Sequence, residues 1–341
     1  MRDPVLSTDE LRRAVGRLPR MRLGHLPTPI DEAPRFAERI GASRVFLKRD
    51  DCTGLLFGGN KTRHNEFLLA DALARQADVV VWGAGVQSNN CRQTAAACAK
   101  LGLDCHLYLW RGSHGDEIQG NLLLDYLMGA KVTLVDAPIG PELDELMLTE
   151  AAKLRAAGRR PYVWDRAHVK PLAAVSYALC LAEIMDQLRE QGVEPAAVYV
   201  CSAGSTGAGV ALGKAVLGLR GAVRSICPIR WPWDVREDLA DIANRAAELL
   251  GLPHRLTAAD IDAREDYIGP GYGQVTPEGR AAIDLLARTE GVLLDPVYTA
   301  KAMAGLIDDV RSGRVGRDEA VVFIHTGGLP AVFAYRDELL G

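Results

Sequence analysis

Lys61 is the side chain in this sequence best placed for covalent chemistry. It follows Gly58-Gly59-Asn60 and precedes residues 62–74, whose composition predicts a helix. Upstream, Val45-Phe46-Leu47 reads as a strand, and Lys48-Arg49-Asp50-Asp51 leads into the turn. A lysine at a helix start sits at the positive end of the helix dipole, which favours its neutral form. A neutral amine is what attack on a carbonyl cofactor requires. The two glycines let backbone or ligand come close. A solvated helix-start lysine fits the same local pattern. A nucleotide-phosphate loop does not, because that motif needs Gly directly before Lys and here Asn60 intervenes.

Four further loops carry groups that could serve a ligand. Ser202-Ala203-Gly204-Ser205-Thr206-Gly207 follows an apolar run and opens a helix, so free N–H groups and the dipole make an anion site there. The hydroxyls of Ser205 and Thr206 favour phosphate over an ordinary glycine-rich turn. Dinucleotide binding is disfavoured, since the GxGxxG spacing is absent and the next strand ends Pro228-Ile229-Arg230 without an acidic residue. Gln87-Ser88-Asn89-Asn90 could hold a carboxylate, although Ser and Asn also lead the ranking of helix N-caps. Asp295-Pro296-Val297-Tyr298 and His325-Thr326-Gly327-Gly328 are the last loops of this kind. Tyr298 could act as acid or base if its pKa were lowered, or it could be structural. His25, His106 and His168 lack metal-ligand spacing, so no metal site is expected.

The elements that must position these loops alternate along the chain. Apolar runs at 79–82, 105–110, 132–135, 162–164, 198–201, 226–229, 292–294 and 321–324 predict strands. Helices are expected at about 7–19, 92–101, 121–128, 142–157, 171–191, 205–217, 235–251, 278–289, 299–311 and 330–339, with a Gly/Tyr/Pro loop over 266–275. Strands that are apolar throughout, separated by helices, argue for an α/β protein with parallel sheets covered on both faces. In such sheets ligands sit at the carboxyl ends of strands, where all these loops fall.

The 341 residues suggest two core-forming units. A net charge of −4 without basic runs gives no reason to expect nucleic acid or an anionic membrane as partner. Seven cysteines without a CxxC pair read as reduced, buried thiols. Residues 1–4 have no apolar leader and no run of eighteen apolar residues occurs, so a cytoplasmic protein is expected.

Five of these motifs occur together and in order: Lys48-Arg49-Asp50-Asp51, Gly58-Gly59-Asn60-Lys61-Thr62-Arg63, Gln87-Ser88-Asn89, Glu290-Gly291 with Asp295-Pro296-Val297-Tyr298, and His325-Thr326-Gly327-Gly328-Leu329-Pro330. The set resembles the pyridoxal-phosphate enzymes of the D-cysteine desulfhydrase and 1-aminocyclopropane-1-carboxylate deaminase group, from about Arg22 to Tyr335. The resemblance implies a tryptophan-synthase-β-like α/β fold (fold type II) with two parallel-sheet domains. A smaller domain over 62–165 would be inserted into a larger cofactor domain made of 1–61 and 166–341. It also implies pyridoxal 5′-phosphate as cofactor, with Lys61 carrying it and later moving the α-proton. Asn89 would bond its phenolic oxygen, Ala203, Gly204, Ser205 and Thr206 would hold its phosphate, and Thr326 would face its ring nitrogen. Ser88, Tyr272 and Tyr298 would face a small amino-acid substrate, and a homodimer is expected.

The activity so implied is α,β-elimination to pyruvate, ammonia and a leaving group. Deaminases of the group carry a Glu after Asp-Pro-Val-Tyr; here Thr299 stands there, which favours the desulfhydrase branch. That branch, however, has a histidine where this chain has Asn90, and a glycine-rich turn at Asp165-Arg166-Ala167. An Arg166 in the pocket could pair with a substrate carboxylate or sulfonate, or it could simply pair with Asp165. Cyclopropane opening, sulfite release from L-cysteate, β-replacement, and cofactor binding without turnover remain open at this point.

Overall fold

The structure, a computed structural model, describes residues 5–112 and 115–341; residues 1–4, read above as lacking a leader, lie outside the described residues. In chain order the strands are β1 (Ile30–Glu32), β2 (Arg44–Lys48), β3 (Val79–Gly85), β4 (Asp104–Trp110), β5 (Lys131–Val135), β6 (Pro161–Val163), β7 (Pro195–Cys201), β8 (Ala222–Ile226), β9 (Asp262–Arg264) and β10 (Ala320–Ile324). They form a six-stranded sheet in the order β1-β2-β10-β7-β8-β9 and a four-stranded sheet in the order β5-β4-β3-β6. Every pairing is parallel except β1 with β2.

The helices are α1 (Thr8–Val15), α2 (Pro34–Ile40), α3 (Asn60–Ala74), α4 (Asn89–Leu101), α5 (Gly120–Leu127), α6 (Pro141–Ala156), α7 (Arg166–Arg189), α8 (Ser205–Leu217), α9 (Val235–Leu249), α10 (Pro277–Glu290) and α11 (Thr299–Arg311), followed by the short α12 (Leu329–Val332) and α13 (Arg336–Leu340). The first helix starts at a capping box between Ser7 and Glu10.

Burial explains why the central strands are apolar throughout. Val198 and Val200 of β7 face one core with Leu181 of α7 and Leu212 of α8. Their neighbours Tyr199 and Cys201 face a second core with Phe323 and Met303. In the smaller sheet Val80 and Trp82 belong to the first core, while Val81 packs with Leu143 and Met147 of α6. Side chains such as Phe323, fully buried, each contribute about 1.5–3 kcal/mol over an exposed position. Among the described residues α7 alone is long and apolar enough to cross a membrane, but 83% of that window is buried inside the protein. It is a core helix.

Several sequence expectations shift, each for a local reason. The long helix begins at Arg166 rather than at 171, because the Asp165 side chain caps it by accepting from Ala167 N–H at 3.0 Å. Pro171 therefore sits inside the helix and cannot bond back to the Ala167 carbonyl. The strand expected at 226–229 is displaced to Ala222–Ile226, as Pro228 offers no ladder donor. Residues 292–294 are not a strand, and only Val292 and Leu294 are buried while Leu293 is exposed; the Leu293 carbonyl bonds the His325 ring at 2.9 Å instead of a ladder partner. The helix expected over 330–339 is broken into α12, a 3-10 turn and α13. The cysteines are all unpaired; six are buried and Cys52 is exposed.

A buried charge network joins α3 to the rest. Arg63 donates from Nε and Nη2 to the two Asp50 oxygens, 2.8 Å each, and reaches Glu183 of α7 at 2.7 Å and 2.8 Å. Thr28 at 2.8 Å and the Tyr177 hydroxyl at 2.5 Å also donate to Asp50. Burial works against the Asp50 charge, but Arg63 outweighs it and holds the carboxyl below its usual range. Asp50→Asn, which leaves Arg63 with half its partners, should cost about 3–5 kcal/mol by urea unfolding. Glu32→Gln removes an exposed pair with Arg44 and should cost less than about 1 kcal/mol. Equal losses in the two variants would contradict the network's role.

Candidate active site

Lys61 lies in the first turn of α3, and the approach to it depends on glycine. Gly58 has φ 65° and Gly59 φ 124°, values that disfavour any side chain. A Cβ on Gly59 would lie 2.7 Å from Gln93 Nε2 and 3.1 Å from the Thr326 carbonyl. Leu56 and Phe57 just upstream also have positive φ, 40° and 62°, so the turn carries backbone strain. The turn is tied to the end of β10, with Asn60 N–H on the Thr326 carbonyl at 3.0 Å and Asp51 N–H on the His325 carbonyl at 2.9 Å. Burial lowers the Lys61 pKa to about 8. Its amine makes no hydrogen bond to a described residue and borders a cavity of about 200 Å³.

The loop leaving β7 lines the same cavity. Ser202 Oγ accepts from the N–H groups of Gly204 and Gly207 at 3.2 Å and 2.8 Å, which fixes the turn. Ser205 and Thr206 then occupy the first turn of α8, where N–H groups have no intrahelical acceptor. Gly204 is extended (φ −176°), so its backbone does not require glycine, and an added Cβ would meet nothing within 4 Å. The glycine leaves open space in front of those donors. Thr206 Oγ1 receives Asn60 Nδ2 at 3.1 Å and meets His64 Nε2 at 3.2 Å. Burial, then the charges of Lys61 and Arg63, push the His64 pKa well down, so the ring is neutral. Asn60 and His64 were missed in the sequence; their i, i+4 spacing on the lysine's own helix was the available signal.

Ser88, Asn89 and Asn90 also line the cavity. Ser88 caps α4, its Oγ accepting from Asn90 and Cys91 N–H at 3.2 Å each. Asn89 Oδ1 accepts from Asn121 Nδ2 at 2.9 Å. Opposite them, the hydroxyls of Tyr272 and Tyr298 bond each other. Burial raises both tyrosines, Tyr272 to about 12 and Tyr298 further, its partner adding to the effect. The lowered Tyr298 pKa considered from sequence is therefore reversed; the residue holds its proton. Thr326 borders the cavity, whereas Thr299 is turned away, its hydroxyl on Asp295 at 2.6 Å and 2.7 Å.

Arg166 stands at the cavity wall, and its partner is not Asp165. Its Nε lies 2.9 Å from Asp144 of α6, and its guanidinium lies 4.8 Å and 4.7 Å from the ring centres of Trp231 and Trp233. Trp231 is held in turn by a 3.1 Å bond from Nε1 to the Ala203 carbonyl. The two terminal nitrogens of Arg166 donate to no described residue. Asp144 and Trp231, both lining the cavity, had no sequence signal, because each comes from a distant segment.

The site thus offers a neutral amine, an anion cradle, and a third wall of amide and hydroxyl groups. That donor set fits an aldehyde that carries a phosphate. Residues 21–327 match the family described as pyridoxal-phosphate dependent enzyme. The chain is 41% identical over 331 residues to the D-cysteine desulfhydrase of Klebsiella pneumoniae (strain 342), covering 95% of this chain and 98% of the relative. A crystal structure of a homologue of ACC deaminase superposes with a TM-score of 0.88 at 37% identity, covering 97% of this chain and 98% of the other. Holo diaminopropionate ammonia lyase from Escherichia coli shares the fold, with a TM-score of 0.70 at 17% identity over 99% of this chain and 94% of its own.

A lowered amine pKa has a direct consequence for cofactor loading. The neutral fraction of Lys61 should fall about tenfold for each pH unit below about 8 and be nearly complete above it. Pyridoxal phosphate added to cofactor-free protein should therefore develop its visible absorbance at a rate that rises with pH and levels off past 8. A rate still climbing toward 10.5, the value of an unperturbed lysine, would contradict the buried amine.

Proposed function

We propose that this chain, which belongs to the pyridoxal-phosphate-dependent enzymes, is a lyase that removes the β-substituent of a small amino acid together with its α-proton. The observation that carries this reading is the Lys61 amine, lowered to about 8 by burial, on the cavity that the Ser202–Thr206 loop also lines. The identity to D-cysteine desulfhydrase supports a thiol or related leaving group.

In this reading Ser205 and Thr206 N–H groups bind the phosphate, with Ala203 and Gly204 shaping the approach. Asn89 donates to the phenolic oxygen, and the uncharged Thr326 hydroxyl faces the ring nitrogen. The bound cofactor supplies a conjugated sink for the electron pair left at the α-carbon. With the cofactor held there, the Lys61 amine would be the group that takes the α-proton of the substrate. Ser88 and Asn90 hold the substrate carboxylate. Tyr272 and Tyr298 keep their protons at neutral pH and can pass one to the departing group. The Cα–H and Cβ–X bonds break, X leaves with its electron pair and a proton, and one water is consumed in releasing pyruvate and ammonia. Thr299, occupied with Asp295, offers no carboxylate to the site, which weighs against cyclopropane opening.

The same reading divides the chain into a cofactor domain of 1–61 plus 166–341 and an inserted domain of 62–165. It takes the protein as cytoplasmic, and as a homodimer whose contact uses exposed apolar side chains such as Phe57, Leu123, Leu127 and Phe333.

Arg166 bears on which amino acid is preferred. A guanidinium held near two indoles, with its terminal nitrogens donating to no described residue, supports a larger or more acidic β-substituent than the thiol of D-cysteine, sulfonate included. A panel of D- and L-β-substituted amino acids, scored for pyruvate, should find a substrate better than D-cysteine. Arg166→Gly should lower kcat/KM for that substrate by roughly tenfold to several hundredfold, while changing D-cysteine turnover little. D-cysteine as the best substrate, with Arg166→Gly unaffected, would contradict this preference. Turnover without pyruvate would favour β-replacement, in which a second nucleophile captures the product.

A further inference from the structure

Arg92 makes no contact with the cavity, yet it is one of the largest fully buried side chains in the protein. It is held in α4, one turn from Ser88, and donates in two directions. From Nη1 it reaches the carbonyls of Leu56 and Gly58, the latter at 2.8 Å, bracing the strained turn that presents Lys61. From Nε it donates to Asn121 Oδ1 at 3.1 Å. Its guanidinium faces Asp125, a buried acid that burial pushes toward its protonated form; among the described residues neither the Asp125 oxygens nor Arg92 Nη2 has a hydrogen-bond partner.

A guanidinium can only donate, so Asn121 must turn its oxygen toward Arg92. The opposite side of that amide gives the same answer. Asn121 Nδ2 meets the backbone carbonyl of Gln87 at 2.8 Å, and a carbonyl can only accept. The orientation of Asn121, ordinarily an ambiguous choice, is thus fixed twice. Its remaining N–H points at the Asn89 amide at 2.9 Å, which must therefore offer Oδ1. Asn89 Nδ2 is left without a partner among the described residues, on a side chain that lines the cavity.

We propose that Arg92 and Asn121 are positioning residues that set the polarity of Asn89, so that the cavity receives an N–H donor and never an amide oxygen. The chemistry this selects is an anionic or strongly accepting oxygen on the ligand. The inference rests on the placement of Asn89 at the cofactor's phenolic oxygen, and adds that two residues outside the site enforce it. The same arginine couples that donor to the Lys61 turn, so the two groups that meet neighbouring positions of the cofactor share one anchor.

The test compares dissociation constants, by tryptophan fluorescence, for pyridoxal 5′-phosphate and for its 3-deoxy analogue, which lacks the phenolic oxygen. Wild type should prefer pyridoxal phosphate by about tenfold to a hundredfold, the effect of one donor on a charged acceptor. Asn121→Asp still accepts from Arg92 but cannot donate, so Asn89 should swing its nitrogen to the new carboxylate and its oxygen into the cavity. The preference should then vanish or reverse. Asn121→Ala, which deletes the relay without adding charge, should narrow it, and serves if the aspartate variant does not fold. Thermal melting of each variant confirms that a folded protein is measured. A wild type that does not discriminate overturns the placement of Asn89 itself. A discriminating wild type whose ratio survives in a folded Asn121 variant, even with both affinities weakened equally, overturns the relay alone.

Discussion

The arrangement depends on desolvating one amine at the wall of a cavity. A lysine on a helix surface is ordinarily charged, and the chain spends its most constrained residues on preventing that here. Burial brings Lys61 to about 8. The first turn of α3 contributes in the same sense, since a positive charge is disfavoured among unpaired N–H groups. Such a position is reached only through backbone that resists folding into ordinary structure. Gly58 and Gly59 have positive φ, as do Leu56 and Phe57. Gly327 approaches so closely that a Cβ there would sit 2.7 Å from Gly59 Cα. Strain of this kind, on the order of 1–3 kcal/mol at each non-glycine residue, persists only where its surroundings hold it.

Those surroundings are two buried arginines. Arg63, two residues after Lys61 on α3, grips Asp50 and Glu183 and so fixes the helix to the end of β2 and to α7. Arg92, from α4, grips the carbonyls of the turn itself. Each charge is desolvated, which gives little net stability. What each supplies is geometry: fixed donors that leave the turn one arrangement. The smaller sheet and the larger one meet across this set, because β3 delivers α4 while β2 and β10 deliver the turn and Thr326.

Much of this was legible in the sequence, and the residues say why. The interior strands β3, β4, β7 and β10 lie at apolar runs because both their faces are covered. The edge strands β1 and β9, three residues each, are too short and too exposed to leave a pattern. Residues 292–294 misled because a short apolar run looks like a strand, whereas the Leu293 carbonyl finds its partner in a side chain. The start of α7 misled because Pro171 drew attention from the cap at Asp165. The loops of the site could be found one at a time, each by a local signal. The relations among them could not. Asp144, Trp231 and Asn121 reach the site or its supports from separate segments, and only the folded chain shows that Arg166 lies on indoles rather than against Asp165.

Everything in the site turns on which amine meets the aldehyde. Reduction of the cofactor-loaded protein with borohydride fixes the linkage, and peptide mass spectrometry then locates it. The modification should lie on the peptide that contains Lys61, and the Lys61→Ala protein should carry none. Cofactor found on another lysine, including Lys170, which also borders the cavity, would contradict the account at its centre.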